Sequence, residues 1–82
     1  MNFKEQLYIN TIAEKKSISK AAKELNISQP ALSKYLSNLE QNLAQPLFDK
    51  ENNNYVPTFF GKKYLYYAKE MLELNDKWEQ EA

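Results

Sequence analysis

The sequence predicts a mainly α-helical fold: a winged helix-turn-helix of three helices and a two-stranded wing, followed by a long C-terminal helix. Three observations predict it. Two short helical patterns meet at Asn26-Ile27, leaving room only for a tight turn. Two short apolar segments then flank an Asn-rich connection, as the strands of a hairpin do. Last, Phe60, Tyr64, Tyr67, Met71, Leu74 and Trp78 recur at alternating spacings of four and three, a heptad seam.

Composition narrows the function classes. The chain has 82 residues, enough for one small domain with a limited core. It has no cysteine and no histidine, which removes disulfides, thiolate metal sites and most nucleophile–base pairs. No lysine–carboxylate group sits in a glycine-lined setting, so neither an enzyme nor a cofactor or metal site is expected. No apolar run approaches a membrane span and no signal-peptide pattern is present, so the expected location is cytoplasmic, with no membrane partner.

Net charge is zero, but it is unevenly placed. Residues 1–38 carry six lysines against three acids, and residues 39–82 carry five lysines against eight acids. The lysine surplus therefore surrounds the helix-turn-helix.

Each element follows from local pattern. Asn2 to Glu14 reads as an amphipathic helix, with Phe3, Leu7, Tyr8, Ile9, Ile12 and Ala13 on its apolar face. Ser17 is placed to cap the second helix, where Ile18, Ala21, Ala22 and Leu25 fall on one face. The alanines let a crossing helix approach. Asn26 tolerates the left-handed backbone that ends a helix, and Ile27 is expected to plug the core. Ser28 caps the third helix, with Pro30 in its first turn.

That third helix, about residues 29–42, carries two distinct faces. Leu32, Tyr35, Leu36, Leu39 and Leu43 share an arc of roughly 100° facing the core. Gln29, Pro30, Ser33, Lys34, Ser37 and Gln41 lie roughly opposite. This second face holds an amide at each end, hydroxyls and one cation, and no acid. A face kept merely soluble usually mixes glutamate with lysine. A face of Gln, Ser and Lys can approach a polyanion and hydrogen-bond to base edges and phosphates.

Pro46 ends the helix. Residues 47–50 and 54–57 read as strands joined near Glu51-Asn52-Asn53. Lys50 and Asn53 could reach a nucleic-acid backbone from this wing. Thr58 caps the last helix, which runs from about Phe59 to Trp78 or beyond. A second seam of Leu65, Ala68 and Leu72 makes it wider in apolar surface than one domain needs. Tyr64, Tyr67, Met71, Leu74 and Trp78 are therefore candidates for pairing with a second chain, because Trp78 lies beyond the core.

These residues resemble the N-terminal DNA-binding region of LysR-type transcriptional regulators. The resemblance is carried by Ala21-Ala22, Leu25, Ile27-Ser28-Gln29-Pro30-Ala31-Leu32-Ser33, Leu39-Glu40, Pro46-Leu47-Phe48, Thr58 and Gly61, and it spans nearly the whole chain. It implies a DNA-binding domain in residues 1–58, with the helix-turn-helix at about 18–37 and the wing at about 47–57. Residues 59–82 would form a linker helix for a homodimer. It implies double-stranded DNA contacts from Ser19, Lys20, Ser28, Gln29, Pro30, Ser33, Lys34, Ser37, Lys50 and Asn53. Full-length members continue into an effector-binding domain, so a small-molecule effector is expected only where such a domain follows.

Departures from the family pattern are chemical. Lys34 and Lys50 stand where arginine is common, and the chain has no arginine. Lysine binds phosphate as a point charge and lacks the planar bidentate contact to guanine. Lys16 and Ala44 replace common glycines, so slightly different turns are expected there. The alternative reading is a protein-interaction module that uses the aromatic last helix on a winged-helix scaffold.

Overall fold

A computed structural model describes residues 2–82. Four helices and one hairpin follow in the order α1 (Phe3–Lys15), α2 (Ile18–Leu25), α3 (Gln29–Leu43), β1 (Phe48–Glu51), β2 (Asn54–Pro57) and α4 (Phe59–Glu81).

Every helix starts on a side-chain cap. The side-chain oxygens of Asn2, Ser17, Ser28 and Thr58 accept from the backbone N–H groups of Glu5, Lys20, Ala31 and Gly61, at 2.8, 3.2, 3.2 and 2.9 Å. Each bond satisfies a donor that the helix itself leaves unpaired. The first helix accordingly begins one residue later than the sequence pattern suggests, because Asn2 is its cap.

Lys16, Asn26 and Ala44 end α1, α2 and α3, all with φ 58°. The turns at Lys16 and Ala44 thus adopt the left-handed backbone a glycine favours, although neither residue is glycine. The wing turn uses Asn52 and Asn53 at φ 50° and 65°. Two consecutive positive φ values make the tight two-residue connection that matches strand twist, and asparagine tolerates them. Phe48, Asp49, Lys50 and Glu51 pair with Pro57, Val56, Tyr55 and Asn54. Glu51 is therefore strand rather than connection, and Leu47 precedes β1.

Ile9, Ile12, Leu32 and Leu47 form the fully buried centre, with Ala21 and Ala22 where α2 crosses its neighbours. Ile18, Leu36, Leu39, Phe48, Tyr64 and Ala68 complete the core, and Ile27 packs against it half-buried.

Two expectations are corrected. Phe3 and Leu7 are 51% and 39% exposed, whereas Gln6 and Thr11 are buried. The inward arc of α1 is set by where α4 lies. Gln6 Nε2 donates to Met71 Sδ at 3.1 Å, and Thr11 Oγ1 donates to the Leu7 carbonyl at 2.7 Å. These bonds let polar side chains occupy the covered side. Tyr64 likewise does not join the exposed seam. It is 6% exposed, and its hydroxyl donates to Glu5 Oε2 at 2.5 Å, tying α4 to α1.

Burial, then the hydrogen bond to Glu5 and its negative charge, pushes the Tyr64 phenol above its ordinary pKa. In the unfolded chain this phenol ionises near pH ~10. Its contribution to stability is therefore complete below about pH 10 and is lost as pH rises beyond it. Tyr64→Phe should show a smaller fall in urea midpoint between about pH 9 and 11 than the parent; equal slopes would contradict this coupling.

Candidate nucleic-acid interface

The packing that buries one side of α3 leaves the other side bare. Leu32, Leu36 and Leu39 are buried, while Gln29, Pro30, Ser33, Lys34, Ser37 and Gln41 are all exposed. The exposed face is continuous for about three turns. Glu40 falls on the same arc, contrary to the acid-free face expected from the sequence, but it is half-buried and its carboxylate is engaged by the backbone N–H groups of Leu47 and Phe48. Amide and hydroxyl groups there can donate and accept, so they suit base edges, and Lys34 supplies charge.

The flanking residues fall into two groups. Ser19 and Lys20 are exposed in the first turn of α2. Ser19 Oγ lies 3.1 Å from Ser17 Oγ. Ser28 uses its oxygen to cap α3 and keeps its O–H free to donate outward. Lys50 and Asn53 stand on the wing, both exposed, with Asn53 at its tip. Lys50 faces Tyr55 across the hairpin, its ammonium 5.6 Å from the ring centroid. Strand alternation turns Asp49 and Glu51 to the other side of the ribbon.

The structure holds these pieces in fixed relation. Tyr55 N–H donates to the Lys16 carbonyl at 3.0 Å, joining the wing to the α1–α2 turn. Glu40 Oε2 accepts from the backbone N–H groups of Leu47 and Phe48 at 2.5 and 3.3 Å, joining the wing to the end of α3. Thr58 donates from its backbone to the Leu47 carbonyl at 3.0 Å and from its hydroxyl to the Pro46 carbonyl at 2.8 Å. Gly61 lies so close that an added Cβ would sit 2.0 Å from the Leu47 oxygen.

Glu40 had no assigned role in the sequence. A signal was present: a carboxylate in the last turn of a helix opposes the helix dipole, so it needs another partner. Tyr8 and Tyr35 do more than fill the apolar faces of α1 and α3. Their rings pack edge-to-face at 4.9 Å, and the Lys4 ammonium lies 5.5 Å from both, bracing α3 against α1. Burial, with Glu5 and Tyr8 nearby, raises the Tyr35 pKa.

The remaining candidates lie elsewhere. Tyr67, Met71, Leu74 and Trp78 are 61%, 45%, 66% and 69% exposed along one flank of α4. Among the described residues, no cluster of three histidine, cysteine or acidic side chains could hold a metal, and no helix is long and apolar enough to cross a membrane.

Comparison with known proteins agrees with this geometry. Residues 4–62 match the family described as bacterial regulatory helix-turn-helix protein, lysR family. The chain is 34% identical over 73 residues to an uncharacterized HTH-type transcriptional regulator, YybE, of Bacillus subtilis, covering 89% of this chain and 25% of that protein. It is 42% identical over 69 residues to a probable RuBisCO transcriptional regulator of Guillardia theta, covering 84% of this chain and 22% of that one. The chain thus spans about a quarter of the curated relatives it matches. Among solved structures, the BenM DNA-binding domain with catB site 1 DNA superimposes at a TM-score of 0.89 and 30% identity, covering 98% of this chain and 90% of that one. The CbnR DNA-binding domain–DNA complex gives 0.86 and 28%, covering 99% and 93%.

Replacing Glu40 by Ala leaves the Leu47 and Phe48 N–H groups without their acceptor. Such a loss costs about 1–3 kcal/mol. Urea unfolding should show it, and amide exchange of Phe48 should quicken while that of Ile9 tracks only the global loss.

Proposed function

Because this chain belongs to the lysR family of bacterial regulatory helix-turn-helix proteins, we propose that it binds double-stranded DNA sequence-specifically as the DNA-binding domain of a transcription regulator, in the cytoplasm and without catalysis. The exposed amide, hydroxyl and lysine face of α3, whose one acid, Glu40, is engaged by the backbone of Leu47 and Phe48, is the observation that carries this reading. α3 enters the major groove, with Gln29 and Ser33 on base edges and Pro30 against the groove wall. Lys34, Ser37 and Ser28 meet the adjoining backbone. Ser19 and Lys20 grip phosphates on one side, and Lys50 and Asn53 do so from the wing.

The protein acts as a homodimer through α4, using Tyr67, Met71, Leu74 and Trp78. This exposed apolar flank supports the dimer, since large side chains in water find their natural cover against a second copy. Residues 59–82 serve as the linker helix, and an effector acts only through a further domain. Two α3 helices related by the dimer axis would read half-sites on one face of the duplex.

A duplex sequence selected from a randomised pool provides the test. Affinity should fall linearly with the logarithm of salt as counterions are released; salt-independent binding would overturn the proposal. Lys34→Ala should weaken binding to the selected and unrelated duplexes alike. Gln29→Ala should reduce preference for the selected duplex by roughly 1–3 kcal/mol.

Sedimentation tests the dimer separately. Leu74→Lys combined with Trp78→Lys should convert dimer to monomer while leaving the circular dichroism spectrum intact. A parent chain that is monomeric at all concentrations and does not bind DNA would instead favour a different protein partner for the α4 flank.

A further inference from the structure

We infer that Lys16 is an additional DNA phosphate contact, filling the gap between the start of α2 and the wing. The inference rests on the DNA-binding reading above and extends its contact set.

Three observations meet at this residue. Lys16 is exposed and holds φ 58° and ψ 20°, a conformation that glycine takes freely and a long side chain takes only at a cost. Its carbonyl accepts from Tyr55 N–H at 3.0 Å, and Tyr55 is the cross-strand partner of Lys50. Its chain neighbour Ser17 caps α2, followed by Ser19 and Lys20. Lys16 therefore stands between the two parts of the interface that flank the reading helix.

Its charge is also uncommitted. The ion pair among the described residues joins Lys15 to Glu24 at 3.8 Å, so the neighbouring lysine is the one with a carboxylate within reach. Lys15, Lys20 and Lys23 line a shallow groove next to this turn, with Glu24 as its acid. Lysines gathered in this way repel one another in the free protein, and a polyanion relieves that repulsion. A strained backbone carrying an unpaired cation, at the junction of two phosphate-facing segments, is accounted for if the cation has an external partner.

The backbone conformation supplies a discriminating variant. Lys16→Gly removes the charge and relaxes the turn, so stability and DNA affinity should move in opposite directions. The melting temperature should equal or exceed that of the parent. Affinity at ~0.1 M salt should fall about three- to tenfold, equally on the selected and unrelated duplexes, and the salt slope should lose about 0.9 per protomer. Lys16→Arg should restore both affinity and slope. A Gly variant with the parent's affinity and slope overturns the inference, as does a loss confined to the selected duplex. Absence of salt-dependent binding by the parent itself overturns the DNA-binding reading instead.

Discussion

Leu47 fixes the reading helix, the wing and the last helix to one another. Its side chain is fully buried. Its N–H is held by the Glu40 carboxylate at the end of α3, and its carbonyl by the N–H of Thr58 before α4. Gly61 presses against the same carbonyl from the first turn of α4. Three elements thus share one residue, and their angles cannot change independently. If α3 reads DNA as proposed, the wing and α4 must stand at set distances from it, and this junction sets those distances.

The interface works with modest chemistry. It has lysines and no arginine, so charge provides approach and grip but not bidentate guanine recognition. Under the proposed DNA-binding reading, discrimination would fall to Gln29, Ser33 and the deformability of the duplex. Zero net charge does not oppose this. The lysines lie toward the helix-turn-helix and the acids toward the C-terminus, so the electrostatic field is polar even where the total vanishes.

One helix serves two surfaces. The buried side of α4 contributes Gly61, Tyr64 and Ala68 to the protomer's own core, and the flank from Tyr67 to Trp78 stays bare. The Glu5–Tyr64 bond joins that helix to α1, and the Lys4, Tyr8 and Tyr35 cluster joins α1 to α3. The exposed flank of α4 and the exposed face of α3, the proposed dimer and DNA surfaces, are therefore linked through side chains of the protomer's own interior.

Local order was legible in the sequence because it depends on near neighbours. The caps at Ser17, Ser28 and Thr58, the left-handed Asn26, the Asn52-Asn53 turn and the leucine stripe of α3 are each decided within a few residues. The exposed reading face followed from the same periodicity. What the tertiary structure decided was which side of each helix is covered. Phe3 and Leu7 look like core by pattern, yet α4 covers Gln6 and leaves them in water. Tyr64 looks like part of the pairing seam, yet Glu5, 59 residues away in sequence, draws it inward. Glu40 and Lys16 acquire meaning only from the wing that bonds to them. A single helix shows its periodicity, but the direction of burial belongs to the contacts between helices, which no local pattern contains.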